Sequence, residues 1–498
     1  MSESSLRGDL RGLAGKSLIY GIGSVALRGI SLLVLPLYTR VLTPSEYGTV
    51  ALGTTLTALL SIIFPLGLQN AIAPFFFTQS SDEERRRLCG TIWLTMVLAA
   101  LVLTILLDQF GERMFAGVFP KLPFSPYVRI SIWTAFFSVF ALFPLNLAQV
   151  RERAGTYVLL TGTNILATVL FVVVFVVILH RGAFGYLFGA LLANALLSIP
   201  FIVLALRDIR VRLDGRKLWV LLAFSSPLIL HGIASWALSL SDRAILQRYV
   251  SLADLGLYSI GYQVGSIMIM IAMAIANAWN PFLFRRVAEV GDGAKPGLAK
   301  LVTYYTMTVG LVAAVLCLFG REIIVGLTSE RFHAAYPIVP IVVIAYFWNS
   351  LYVIPAAFLY LVKRTAYLPI ATVIAGIVNV ALNIWLIPIY GIVAAAWATF
   401  FAFLVLFLII ALVAARLYPF PYEYRRLAFI LGYGVVLILA GDLANSIPLP
   451  SLLWKLTVLS SVPVLLAATP FLTQPERAAA KAAASSIRRK LLNTAPSA

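Results

Sequence analysis

A chain of 498 residues that is 61% apolar and only 12% charged, with a mean hydropathy of +0.96, is not a soluble globule; such proteins carry about 25% charged residues. The net charge of +18, from 38 basic and 20 acidic residues, would suit a nucleic-acid partner in a soluble protein, but its distribution along the chain gives it another meaning, set out below. Two cysteines, Cys89 and Cys317, fall at opposite predicted membrane faces and make neither a disulfide framework nor a metal site.

The amino terminus places Arg7, Arg11 and Lys16 before an apolar run as long as a span and without a small-residue cleavage site, which predicts a retained first helix. A bilayer core of about 30 Å takes roughly 20 apolar residues in helical form, and helices satisfy their own backbone groups in lipid. Fourteen segments qualify: 17–38, 49–77, 88–107, 128–148, 156–179, 183–206, 217–240, 255–283, 300–319, 335–361, 367–388, 391–414, 425–441 and 451–472. With the amino terminus inside, 27 of the 38 lysines and arginines fall on inside loops and tails, 10 fall outside, and Arg28 lies within a span. Lysine and arginine accumulate on cytoplasmic loops. The positive charge is therefore a topology signal with both termini inside, and no nucleic acid is implied.

The chain also repeats itself. TRVLTPSEYGTVALG (39–53) aligns 208 positions upstream of QRYVSLADLGLYSIG (247–261), setting Arg40 on Arg248, Glu46 on Asp254, Gly48 on Gly256 and Gly53 on Gly261. Each copy is a polar turn between two apolar runs. FPLNLAQVRERAGTY (143–157) and IPAAFLYLVKRTAY (354–367) form a second parallel. An even number of spans per copy gives both lobes the same orientation. The predicted fold is an all-α polytopic membrane protein: two pseudo-symmetric six-helix lobes around a central cavity, plus two C-terminal helices. The expected boundaries are 1–206 and 218–415 for the lobes, 207–217 for a cytoplasmic linker, 416–472 for the extra helices and 473–498 for a basic tail.

Arg28 is the sharpest single candidate. A charge near the middle of a span costs at least a few kcal/mol and usually faces a cavity or partner; the alternative is that it snorkels to an interface. Its planar guanidinium suits phosphate oxygens. His231, midway along the seventh span, is either a packing residue or a proton carrier. Asp242 and Arg243 form a local ion pair at the outer end of that span, or line an outer mouth. Asn277 and Asn280, with Asn146, Asn164, Asn194, Asn349, Asn379 and Asn383, bond between helices or touch ligand. Prolines 36, 65, 144, 227, 281, 355 and 388 predict interrupted, bent helices.

Acidic residues inform by their positions. All 20 fall in loops, tails or predicted span ends, whereas a cation antiporter needs an intramembrane acid and a membrane glycosyl transferase or polymerase needs positioned acids or a base on sizeable loops. No phosphate loop, metal-spaced cluster or nucleophile motif is present, so neither catalytic residue nor cofactor is expected.

LPLYTRVLTPSEYG (35–48), LSDRAILQRYVSLADLGLYSIGYQ (240–263) and NVALNIWLIPIYGIVAAAWAT (379–399) together resemble the polysaccharide-exporter branch of the multidrug/oligosaccharidyl-lipid/polysaccharide superfamily, the Wzx-type flippases. The resemblance spans about residues 15–415. It implies a V-shaped pair of six-helix bundles with alternating access, and an undecaprenyl-diphosphate-linked oligosaccharide flipped to the outer leaflet of a bacterial inner membrane for surface polysaccharide, including lipopolysaccharide, synthesis. It also implies membrane lipids, a glycan polymerase and glycosyltransferases as partners, and a cavity arginine at the position of Arg28; His231, Arg243, Asn277 and Asn280 are further candidate substrate contacts from their places in the spans. The multidrug branch usually carries an acid within its helices, and this chain departs from that pattern. Small-molecule antiport and glycan polymerisation or transfer remain the alternatives.

Overall fold

The computed structural model describes residues 29–30, 32–442, 451–468 and 471. Every described element is helical. After α1 (Leu35–Val41) come α2 (Pro44–Ile63), α3 (Ile72–Phe76), α4 (Asp82–Phe110), α5 (Glu112–Val118), α6 (Arg129–Val150), α7 (Ala154–Val173) and α8 (Gly182–Asp208). The second part continues with α9 (Gly215–Leu246), α10 (Leu252–Gly265), α11 (Ile267–Val290), α12 (Lys295–Leu318), α13 (Gly320–Leu327), α14 (Ile338–Leu361) and α15 (Tyr367–Leu417), followed by α16 (Tyr424–Asp442) and α17 (Ser451–Ala468). Ten stretches among the described residues are long and apolar enough to cross a membrane. One of them, α15, covers 51 residues but is two helices joined at a kink, where Gly391 leaves helical geometry at φ 60°; each of the two is long enough for one span of roughly 20 residues.

The second span begins at Pro44, earlier than its hydropathy suggests, because Thr43 caps it. The Thr43 Oγ1 accepts from the Glu46 amide and the Thr43 amide donates to the Glu46 carboxylate, a closed capping box with Pro44 at the first helical position. At the repeat-related place Ser251 caps α10, accepting from the Asp254 amide at 3.1 Å. The paired carboxylates of the two copies thus end as helix-start signals. Helices run on through Pro144, Pro227, Pro355 and Pro388, and through Pro200 as well, so those prolines do not end them. The break near Pro65 is real, with Leu66 and Gly67 both at positive φ. The connection between the third and fourth spans is not bare loop: it carries α5, and the second half repeats it as α13, 208 positions on.

Packing divides the chain into two compact units, 1–298 with 320–421, and 299–319 with 422–498. In the second unit Ala314, Leu318, Leu437 and Val458 make a small apolar core against Trp454. Its polar edge is formed by Glu423, which accepts from Thr303 at 2.6 Å and from Arg426 at 2.9 Å.

In the first unit the two copies of the duplicated turn meet each other. α2 crosses α10 at Gly48 and Gly256, where a Cβ on Gly48 would lie 2.0 Å from the Leu252 carbonyl oxygen and one on Gly256 would lie 2.0 Å from that of Pro44. Positions 44 and 252, like 48 and 256, are 208 apart, so the contact is its own image under the repeat. Only a residue without a Cβ allows the backbones so close.

Candidate functional site

The glycine crossing fixes one end of a frame between the halves, and polar contacts close it reciprocally. Ser329 donates to the Thr39 carbonyl at 2.6 Å, and its amide donates to Thr39 Oγ1 at 3.3 Å. In the mirrored contact, Gln247 donates to the Val118 carbonyl at 3.1 Å and accepts from the Lys121 amide at 3.3 Å, while Lys121 Nζ reaches the Val250 carbonyl at 2.6 Å. Arg248 also donates to the Gly117 carbonyl. Thr39 and Gln247 are repeat partners, as are Lys121 and Ser329. Further along, α9 lies on α2: Trp236 Nε1 donates to the Thr55 carbonyl at 3.1 Å, and Gly232 sits against Ile62.

Asp242 and Arg243 do form an ion pair, and it is buried. Their residues are 1% and 7% exposed, and Arg243 Nη1 donates to Asp242 Oδ1 at 2.9 Å and to the Ser239 carbonyl at 3.2 Å. The guanidinium lies 4.4 Å from the Tyr262 ring centre, a cation–π contact. Tyr258 donates to the other carboxylate oxygen of Asp242, and Tyr262 shares a 3.0 Å hydrogen bond with Tyr346. α9 runs on to Leu246, so Asp242 stands inside a helix and not beyond its end. It stands in the last turns of that helix, and what the sequence left open is its burial. The physical reason is neutralisation: a buried acid persists where a partner and hydrogen bonds satisfy it.

A second feature is a cavity of about 320 Å³ in the first half. Its walls are Val34, just before α1, Tyr38 of α1, Tyr47 of α2, the Asn164, Ile165, Thr168, Val169 and Val172 face of α7, and Tyr186 and Asn194 of α8. Gln263 of α10, from the second half, completes it, accepting from the Tyr47 hydroxyl at 2.6 Å. Tyr38 and Tyr186 pack edge to face, with ring centres 5.4 Å apart. None of these lining residues is charged.

The expected site residues are scattered against these two features. Arg28 lies outside the described residues. His231 is partly exposed on α9, where Ser235 donates to its carbonyl at 2.9 Å, and its Nδ1 finds no hydrogen-bond partner among the described residues. Arg243 belongs to the buried network. Asn277 and Asn280 lie on α11. Several span amides bond their own helix and not a neighbour: Asn146 to the Leu142 carbonyl, Asn194 to the Ala190 carbonyl, and Asn383 to Asn379 at 2.8 Å. The cavity tyrosines were not singled out from sequence, since tyrosines at span ends read first as interface anchors. The paired asparagines of the fifth and sixth spans, Asn164 and Asn194, were the available signal.

Comparison with known proteins bears on the same architecture. The model of a family described as polysaccharide biosynthesis protein matches residues 13–287. An uncharacterized membrane protein of Haemophilus influenzae is 24% identical over 282 residues, taking in 55% of this chain and 65% of that relative's own length. Among solved structures, the lipid II flippase MurJ in an inward closed conformation superposes with a TM-score of 0.69 at 11% identity, covering 91% of this chain and 98% of that one. An inward-facing multidrug resistance MATE family transporter of the MOP superfamily gives 0.56 at 14% identity, over 85% and 95%. At such identities these likenesses are likenesses of fold.

Proposed function

This chain belongs to the polysaccharide biosynthesis protein family, and from that premise we propose that it is a flippase, not an enzyme, which moves a lipid-linked oligosaccharide across the bacterial inner membrane for surface polysaccharide assembly. The family match carries the reading. A charged, hydroxyl-rich headgroup cannot cross hydrocarbon unaided, because stripping water from its charges costs too much. Two sister halves that open in turn to the two faces give it a route by alternating access. On positive-inside sidedness the glycine-crossing end faces outward in this reading, with both termini cytoplasmic.

In this reading the prenyl diphosphate is met by Arg28, with His231, Arg243, Asn277 and Asn280 as further candidate contacts, and the prenyl tail stays in lipid. Among the described residues, Asp242 is the carboxylate buried within a helix, and Arg243 already neutralises it. It is therefore poorly placed to exchange cations, which weighs against small-molecule antiport.

The test is a deletion strain carrying wild type or Arg28→Ala on a plasmid, scored for surface glycan, for lipid-linked glycan on the inner leaflet, and for drug susceptibility. Loss of surface glycan with inner-leaflet accumulation, reversed by wild type alone, is the expected result. Drug susceptibility without a glycan defect would favour a multidrug-type exporter, and elongation or transfer of glycan by the purified protein would make it an enzyme. Full glycan production by a correctly inserted Arg28→Ala would remove the role given to that residue.

A further inference from the structure

The cavity between α1, α2, α7 and α8 has a chemistry of its own. Its polar groups are three phenols and three carboxamides, from Tyr38, Tyr47, Tyr186, Asn164, Asn194 and Gln263, together with the Thr168 hydroxyl, which donates to the Asn164 carbonyl, and none of them is charged. Phenol and carboxamide groups both donate and accept hydrogen bonds, which is the pattern a sugar hydroxyl presents in return. The Asn164 amide and the Tyr38 and Tyr186 hydroxyls make no hydrogen bond to the described residues, so that capacity is open to the cavity. The perpendicular pair Tyr38 and Tyr186 supplies apolar ring surface for the C–H face of a pyranose. At about 320 Å³ the space falls within the roughly 300–1,000 Å³ of small-molecule sites. Among the described lining residues a diphosphate finds no counter-charge, and burying it there would cost several kcal/mol, so these residues suit the neutral part of a glycan.

We propose that this cavity is a neutral sugar-ring site, in which one pyranose of the transported glycan seats among Tyr38, Tyr47, Tyr186, Asn164, Asn194 and Gln263. The site draws on both halves. Gln263 comes from α10, and its 2.6 Å bond from Tyr47 is a bond that a sugar hydroxyl can take over when the halves part. Occupancy of the site is thereby linked to the separation of α2 from α10. The proposal rests on the transport reading for the identity of its ligand, and its test is one of binding alone.

The experiment is saturation-transfer NMR on the full-length chain in lipid nanodiscs, with the methyl glycosides of glucose, galactose, mannose and N-acetylglucosamine as probes and inorganic pyrophosphate as competitor. At least one glycoside should receive saturation, with the signal reduced about fivefold by Asn164→Ala and by Asn194→Leu, the order expected for loss of one hydrogen bond. Tyr186→Phe, which keeps the ring, should give a smaller loss, and it carries the comparison if Asn194→Leu is not monodisperse. Pyrophosphate should leave the glycoside signal unchanged. No response from any glycoside, equal responses in all variants, or displacement by pyrophosphate would overturn the site. Export of glycan by a protein that binds none of the glycosides removes this site and leaves the transport reading standing; glycoside binding by a protein that exports no glycan does the reverse.

Discussion

Asp242 and Arg243 are neighbours in sequence, yet their burial comes from residues far along the chain: Tyr258 and Tyr262 from α10 and Tyr346 from α14. Sequence made the pair visible because opposite charges stood side by side at the end of an apolar run. It could not make the burial visible, since adjacent charges at a span end look the same whether they face water or a ring of tyrosines. The energetics differ sharply between those cases. An exposed pair is worth about 0–1 kcal/mol, whereas removing one partner of a buried pair costs roughly 3–5 kcal/mol by stranding the other charge. Asp242→Asn or Arg243→Gln should therefore lower the unfolding temperature of the detergent-purified protein markedly, and Asp242→Asn combined with Arg243→Met should recover part of the loss. A thermal shift below one or two degrees in both single variants would mean that the pair is solvated.

At the level of elements, the duplicated turn turns out to be a joint. The alignment of Glu46 with Asp254 and of Gly48 with Gly256 was legible in the sequence, but the jobs of these residues were not, because a cap and a helix crossing are defined by partners. Glu46 closes the capping box of α2, and Asp254 starts α10 beneath Ser251. The two glycines bring the backbones of those helices together. Gly48→Ala and Gly256→Ala should each reduce the yield of folded protein severely, since a methyl group 2.0 Å from a carbonyl oxygen forces the helices apart. Gly117→Ala and Gly155→Ala, where a Cβ meets nothing within 4 Å, should be silent. Thr43→Ala and Ser251→Ala should each cost about 1 kcal/mol as lost caps. Fluorescence-detected size-exclusion profiles after graded heating would rank all six, and equal behaviour of the two glycine classes would refute the joint.

For the molecule as a whole, hydropathy and charge sidedness were enough to foresee an all-helical membrane protein, because lipid leaves the backbone few alternatives. Span boundaries moved where local chemistry outweighed hydropathy: the cap at Thr43 starts α2 early, and Gly391 divides α15 in place of a loop. The reciprocal closure, Thr39 with Ser329 and Gln247 with Lys121, could not be foreseen, since it joins turns whose only link in sequence is their common spacing. These contacts define the end that must open if the halves alternate. The decisive measurement is therefore made in proteoliposomes loaded with a prenyl-diphosphate-linked saccharide, following its exposure to a membrane-impermeant glycosidase. A Thr39→Cys/Ser329→Cys protein would be compared free, bridged by a reducible bifunctional thiol reagent, and after reduction. The account predicts saccharide exposure well above that of empty liposomes, abolished by the bridge and restored on reduction; exposure that continues unchanged in the bridged protein would contradict it.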